Sequence, residues 1–265
     1  VERMPRKARR AACLRVANRS FRIRRRGRGE DDPRDDRLGP ALVGGPGPAE
    51  EGQQGEVLQI SAAYSLALGF FPAWIAGLRH EGLNLATRLI ATNVGEAVHV
   101  LREGGCDLIL AYYDPDAALQ LDPELFPSLH LGRTEMLPVC AVGPDGTPLY
   151  DVDSGQTVPL LAYSAGAFLG RSVNLLLRQR ALRSTTVYET AMADSLKSMA
   201  LQGLGIAWVP RLSVEPELER GELAICGGEQ WRVPLEIRLY RCSLMRKGAV
   251  RLLWRRLESR AIATE

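Results

Sequence analysis

Residues 185–210 read TTVYETAMADSLKSMALQGLGIAWVP and contain a strand, a helix and a second strand in direct succession. Residues 185–189 are rich in β-branched and aromatic side chains, and residues 191–201 have the apolar spacing of an amphipathic helix. The run 205–210 is apolar and begins at a glycine turn. Because such a unit joins two parallel strands, this stretch predicts an α/β fold.

The same alternation of strand and helix extends outward over residues 57–260. The predicted strands are 57–63, 86–91, 107–112, 136–142, 158–163, 185–189, 205–210 and 235–240. The predicted helices are one that starts after Tyr64 and Ser65, then 93–103, 168–180, 191–201, 212–219 and 249–260. These elements fall into two sets, which predicts two βαβ lobes, residues 57–143 with 235–260 and residues 150–230. Two such lobes typically enclose a ligand cleft and close by hinge motion.

Residues 1–55 have a different composition from the rest of the chain. They hold 14 Lys and Arg against 8 Asp and Glu, whereas residues 56–265 hold 20 against 23. Half of residues 38–55 are Gly or Pro, a composition that buries too little apolar area to fold. We therefore predict a disordered basic leader over 1–55. It is either an arm that neutralises nucleic-acid phosphates, a leader with no role, or the translation of a shifted reading frame.

Composition and cysteine usage narrow the class of protein. The 265 residues are 46% hydrophobic and 25% charged, as in ordinary globular proteins. No apolar run reaches the length of a membrane-spanning helix, and no export signal precedes the first strand. The five cysteines are an odd number, and no two have the spacing of a zinc site. We expect a cytoplasmic protein without a disulfide framework, a bound metal, a cofactor or a membrane contact.

Catalytic motifs are absent from the sequence. The three histidines are scattered, and there is no G-x-S-x-G elbow and no P-loop. The glycines at 203 and 205 follow a predicted helix instead of opening one, so they do not form a dinucleotide fingerprint. The sequence therefore favours a binding protein over an enzyme.

Polar residues recur where a predicted strand passes into a helix. Tyr64 and Ser65 follow the first strand, and Asn93 follows the second. In the second lobe, Ser164 and Thr190 occupy the corresponding places. Helix starts bind anions through free N–H groups and the helix dipole, and the crevice of an open α/β sheet lies at the carboxyl ends of its strands. Each residue alone is more often just a helix cap, but their recurrence at matching places in both lobes predicts a ligand site.

Four segments, in this order, give the chain a family resemblance. They are the helix, glycine turn and GIAWVP strand of 191–210, the opening strand 57–65, the L-x-x-G-x-x-D-L-x-L pattern of 101–110, and the strand 137–142. Over about residues 57–260 the sequence resembles the effector-binding domain of LysR-type transcriptional regulators. The resemblance implies the type II periplasmic-binding fold, a small effector between the lobes, and a homodimer or tetramer.

The resemblance also implies which residues contact the effector. Carried over position by position, they lie at helix starts and at one strand end. They are Tyr64, Ser65, Leu66, Tyr112, Tyr163, Ser164, Thr190 and Met192. One branch of the family responds to oxidants, and Met136, Met192 and Met199 fit that branch, because thioethers oxidise reversibly. The default interpretation of the same methionines is core filler.

The sequence departs from the family before residue 56. Members begin with a winged helix-turn-helix, whose recognition helix needs a continuous amphipathic segment. Residues 1–55 show no such segment, so we expect DNA contact only through a winged helix-turn-helix that is not evident in this chain. Two other hypotheses remain at this point, a solute-binding protein that serves transport and an enzyme on the same scaffold.

Overall fold

The computed structural model describes residues 56–117 and 119–263. The predicted leader, residues 1–55, lies outside this range. The strands are β1 (Leu58–Ala63), β2 (Thr87–Thr92), β3 (Leu108–Tyr113), β4 (Ser128–Ala141), β5 (Val158–Tyr163), β6 (Ser184–Thr190), β7 (Ile206–Pro210), β8 (Leu223–Ile225) and β9 (Val233–Arg241). The helices are α1 (Tyr64–Gly69), α2 (Phe71–His80), α3 (Val94–Arg102), α4 (Phe168–Arg180), α5 (Ala193–Leu201), α6 (Arg211–Glu219) and α7 (Gly248–Ala263). Two short 3-10 helices are Pro115–Ala117 and Glu229–Trp231.

The strands form one mixed sheet in the order β2-β1-β3-β9-β4-β7-β5-β6, with β8 paired to β4 outside this path. Strand β1 is parallel to β2 and β3, and β5 is parallel to β6 and β7. Between these two parallel groups, β4 and β9 run antiparallel to each other. The predicted α/β class, with two βαβ lobes, is confirmed.

Strand β4 is the element that passes from one lobe to the other. Its residues 128–136 pair with β9, and its residues 136–139 pair with β7. The change of partner falls at Met136, which pairs with both Val233 and Pro210. The sequence places the strand at 136–142 and the end of the first lobe at 143. In the sheet, β4 begins at Ser128 and its second half already belongs to the second lobe.

The burial pattern explains why these segments form strands. Five of the six residues of β1 are buried, as expected for a strand with both faces covered. Strands β2 and β6 lie at the two edges of the sheet and are more exposed, with Ile90 and Val187 facing solvent. The core is therefore continuous through the middle of the sheet and thins towards β2 and β6.

Two helix starts illustrate the local rules. Asn93 caps α3 as predicted, because its Oδ1 accepts a hydrogen bond of 2.8 Å from the Glu96 N–H. The prediction that Tyr64 and Ser65 cap the first helix is wrong, because α1 already begins at Tyr64 and its N-cap position, Ala63, makes no side-chain bond. The first predicted helix is also divided at Phe70 into α1 and α2.

The carboxyl ends of β1, β2 and β3 in one lobe, and of β5 and β6 in the other, lie along one cleft, with α1, α3, α4 and α5 beginning beside it. This arrangement follows from the right-handed strand-to-helix connections of parallel sheets. Among the described helices, none is long and apolar enough to cross a membrane.

Candidate ligand-binding cleft

The cleft is a cavity of about 270 Å³ between the two lobes. Both lobes contribute to its wall through strand ends and the first residues of helices. The lining residues are Ala63, Tyr64, Ser65, Thr92, Asn93, Val94, Gly95 and Tyr112 from the first lobe, and Ser164, Ala165, Gly166, Ala167, Phe168, Leu169, Ala191, Met192 and Ala193 from the second. None of these lining residues carries a charged side chain.

Two buried hydroxyls lie at the bottom of the cleft, on the side of the first lobe. Ser65 Oγ and Tyr112 OH are 2.9 Å apart and share a hydrogen bond. Both residues are buried, and burial raises the pKa of Tyr112 well above its ordinary value. The tyrosine therefore stays protonated at neutral pH. It lines the cavity as a neutral hydroxyl that donates or accepts a hydrogen bond.

The second lobe presents the start of α4. Ser164 N–H donates to the Thr190 carbonyl at 2.9 Å, and Ala167 N–H donates to the Ser164 carbonyl at 3.1 Å, which closes a turn before the helix. Gly166 has φ +88°, a left-handed conformation that glycine adopts without strain. The N-cap position Ala167 makes no side-chain bond, and the first turn of α4 holds no acidic residue. The partial positive charge of this helix start is thus left uncompensated by side chains.

The helix α5 begins differently on the other side of the cleft. Its N-cap residue, Met192, is 42% exposed, and its N–H donates to Thr190 Oγ1 at 3.3 Å. Asp194 lies in the first turn and compensates the helix dipole there. Behind this wall, burial raises the pKa of Tyr163, and the nearby Tyr112 and Asp194 raise it further. The Tyr163 hydroxyl has no hydrogen-bond partner among the described residues.

The cleft brings five of the eight predicted contact residues together: Tyr64, Ser65, Tyr112, Ser164 and Met192. The other three do not line it. Leu66 is fully buried in the core, Tyr163 lies behind the wall, and Thr190 holds the turns of the second lobe through its carbonyl and hydroxyl.

Sequence reasoning missed several lining positions. Thr92 and Gly95 flank the capped start of α3, and residues 165–169 form the turn into α4. Small residues dominate this turn, which was a usable signal, because backbone N–H groups approach a ligand closely only where side chains are short. Over residues 56–117 and 119–263, no group of three His, Cys, Asp or Glu is arranged to hold a metal ion.

The geometry defines a class of protein: a two-lobed ligand-binding domain with its site between the lobes. The chain belongs to the family of LysR-type transcriptional regulators, because the LysR substrate binding domain matches residues 51–261. The family resemblance of the sequence is thereby confirmed. The family consists of transcriptional regulators.

Two curated relatives come from Escherichia coli. The HTH domain-truncated transcriptional regulator QseD of strain O157:H7 is 33% identical over 202 residues, which cover 76% of this chain and 80% of QseD. The HTH-type transcriptional regulator YjiE of strain K12 is also 33% identical over 202 residues, and these cover 76% of this chain. They cover 64% of YjiE, so the match spans less than two thirds of that regulator.

A solved relative is HypT from Salmonella typhimurium. Its regulatory domain in the apo form is 30% identical and superposes with a TM-score of 0.67, covering 81% of this chain and all of that domain. Full-length HypT, described as a hypochlorite-specific LysR-type regulator, gives a TM-score of 0.68 at 30% identity and covers 79% of this chain and 70% of HypT. A further structure of the HypT regulatory domain is described as bromide ion-bound, again at 30% identity, with a TM-score of 0.66, covering 81% of this chain and all of that domain.

Proposed function

We propose that the cleft binds a small effector that accepts hydrogen bonds, of the class of small carboxylic acids and other oxyanions, and that binding draws the two lobes together. The observation that carries this proposal is the start of α4, which faces the cavity with no side-chain cap and no acid in its first turn. Such a helix start favours a negatively charged oxygen.

The size and polarity of the cleft support this class of ligand. A cavity of about 270 Å³ is at the small end of ligand pockets, which suits a compact molecule. The hydroxyls of Ser65, Tyr112 and Ser164 and the amide of Asn93 offer hydrogen bonds without a formal charge. No nucleophile beside a base lines the cleft, which supports binding without catalysis.

Effector binding acts on the angle between the lobes. The lobes are connected through β4 and β9, so the change of partner at Met136 supplies a hinge. The effector shifts the balance between open and closed forms only through its different affinity for the two.

The chain works in the cytoplasm as a homodimer or tetramer, which the exposed apolar residues Ile90 and Val187 on the edge strands support. DNA contact would be made only through a winged helix-turn-helix, which is not evident in this chain.

The test is a thermal-shift screen of the full chain against small mono- and dicarboxylates and bromide. A ligand at a hundred times its Kd is expected to raise the Tm by about 5–10 °C. The double variant Ser65→Ala with Ser164→Ala is expected to stay folded and to lose this shift. Ser259→Ala, on the exposed side of α7, is the matched control. An equal shift in the double variant and the parent would remove both serines from the site.

A second candidate signal is an oxidant, because one methionine lies exposed at the cleft. Met192 is 42% exposed, whereas Met136 is fully buried. HypT is described as hypochlorite-specific, and oxidation turns a thioether into a polar sulfoxide. Under limiting hypochlorite, peptide mass mapping is expected to find the sulfoxide at Met192 before Met199. If Met199 is oxidised first, or if Met192→Leu responds to hypochlorite as the parent does, this candidate fails.

A further inference from the structure

Helix α6 of the second lobe touches helix α1 of the first lobe beside the cleft. A Cβ added at Gly69, the last residue of α1, would lie 3.0 Å from the Leu212 carbonyl oxygen and 3.3 Å from the Leu212 Cβ. Gly69 does not have a positive φ, so a larger residue there meets a lack of space and not backbone strain. The two lobes are therefore already in van der Waals contact at this flank, while a cavity remains between them.

The sequence of α6 explains how a helix carbonyl serves as this contact. In a regular α-helix the carbonyl of Leu212 accepts a hydrogen bond from the N–H four residues further on. That residue is Pro216, which has no N–H to donate. Carbonyl oxygens approach Cα–H groups closely at helix–helix contacts, and Gly69, which has no Cβ, admits such an approach.

The start of α6 is fixed to the strands that connect the lobes. Pro210, directly before the helix, pairs with Met136, where β4 changes its partner. Arg211 donates two hydrogen bonds to Glu135 Oε1, one from Nε at 2.9 Å and one from Nη2 at 2.8 Å. Leu212 thus lies two residues from the hinge. Because atoms close to a rotation axis are displaced least, the Leu212 carbonyl keeps its place when the lobes move.

Helix α6 also connects the two walls of the cleft. Towards the second wall, Lys197 of α5 donates from Nζ to the Ser213 carbonyl at 2.9 Å and pairs with Glu217 Oε1 at 3.2 Å. Towards the first wall, α6 contacts Gly69, which follows the cleft residue Ser65 by about one helical turn. A change in the distance between α1 and α6 therefore changes the distance between the two walls.

We propose that the contact between Gly69 and Leu212 is the pivot on which the lobes turn when the cleft closes around its effector, an inference that rests on the proposed function. The lobes cannot approach further at this contact, because backbone atoms already meet there. Closure is therefore a rotation about the line through Met136 and this contact, which brings the start of α4 towards Ser65. A side chain at position 69 displaces the pivot and holds the walls apart.

The first experiment tests whether the full chain keeps this contact in solution. Gly69→Cys with Leu212→Cys places the two Cβ atoms 3.3 Å apart, close to the about 3.5–4.5 Å found in disulfides. The tryptic fragments 38–79 and 212–220 carry these positions, and neither contains a native cysteine. After oxidation with copper phenanthroline we expect the two fragments to be joined, in the same yield with and without bromide or succinate.

Gly77→Cys with Leu212→Cys is the matched control, because its cysteines lie in the same two fragments. A Cβ at Gly77 has no neighbouring atom within 4 Å, so we expect no joined peptide from this control. Absence of the joined peptide in the folded Gly69 double variant would overturn the proposal. A yield that falls when bromide or succinate is added would also overturn it, because a pivot stays in contact during closure.

The second experiment compares Gly69→Ala with Gly77→Ala in thermal shifts with bromide and succinate. Gly77→Ala is expected to raise the Tm by about 2–4 °C, since alanine favours a helix over glycine, and to keep the ligand shift of the parent. Gly69→Ala is expected to stay folded and to lose most of that ligand shift. A full ligand shift in Gly69→Ala would overturn the pivot.

The two experiments separate failure of the pivot from failure of the proposed function. If the parent gives no ligand shift with any of the small acids or with bromide, the proposed class of effector is wrong. The yield of the joined peptide does not depend on an effector, so it still decides whether α1 and α6 stay in contact. A joined peptide supports the pivot in that case, and its absence overturns the pivot.

Discussion

The two walls of the cleft differ in how far their polar groups are already satisfied. In the first lobe, Ser65 and Tyr112 bond each other and Asn93 caps α3. In the second lobe, α4 begins without a side-chain cap, and the Tyr163 hydroxyl is buried without a partner among the described residues. These side chains of the first wall bond their own lobe before any ligand arrives, although the short helix α1 also begins without a side-chain cap. In the second wall the longer helix α4 begins without one.

This difference teaches how a small effector acts in a two-lobed domain. A helix start without a side-chain cap leaves backbone N–H groups that a ligand in the cleft can bond, whereas the Tyr163 hydroxyl does not line the cleft. We therefore expect the start of α4 to gain more from ligand binding than the hydroxyls of the first lobe, which already bond each other. The comparison predicts that changes in the first wall lower stability, whereas changes in the second mainly alter the response to ligand.

The largest expected effect tests the packing behind the first wall. Leu66 is fully buried, so Leu66→Ala is expected to lower the free energy of unfolding by about 2–5 kcal/mol in urea. Leu68→Ala in the same helix is the control, because Leu68 is 70% exposed and is expected to change stability by less than about 0.5 kcal/mol. If Leu66→Ala weakens the ligand response with stability intact, Leu66 is an effector contact, as the resemblance implies.

A smaller effect concerns a thiol in the first lobe. Burial raises the pKa of Cys106 from about 9 to about 11, so the folded state keeps a proton that the unfolded chain releases. The resulting contribution to stability is fully present below pH 9 and is lost as pH rises to 11, by about 2 kcal/mol. Unfolding of the parent and of Cys106→Ala from pH 8 to 11 isolates it. Parallel pH profiles would show that the folded state does not hold this proton.

The smallest effect compares one tyrosine from each lobe. Tyr112→Phe leaves Ser65 Oγ without its bond and is expected to cost about 1 kcal/mol in the free energy of unfolding. Tyr163→Phe removes a hydroxyl without a partner and is expected to be neutral or slightly stabilising. Paired thermal and urea unfolding of both variants measures the difference. Equal losses for the two would mean that the walls do not differ as described.

The order of strands and helices was largely predictable from the sequence, because apolar periodicity records which face of each element is buried. The bounds of β5 and α4 match the prediction residue for residue. Strand β8 was missed, because three residues are too few to establish a period. The first half of β4 was missed as well, since its residues 128–135 are mostly half-buried and show no clean alternation.

The candidate site divides in the same way. Asn93 was predictable as a cap, because its side-chain oxygen accepts a hydrogen bond from the N–H of Glu96, only three residues further along the chain. Ser65 was misread as a cap, because its partner Tyr112 is 47 residues away. Whether the five cleft residues contact an effector remains a prediction.

By itself the sequence determined the α/β class, the two lobes and the membership in the LysR family, because these depend on local periodicity and on the order of short motifs. Only the tertiary structure decided that Ser65 meets Tyr112, and that the buried Tyr163 hydroxyl has no hydrogen-bond partner among the described residues. The physical reason is that such contacts depend on how strands distant in the chain are placed side by side. No local pattern of side chains records that placement.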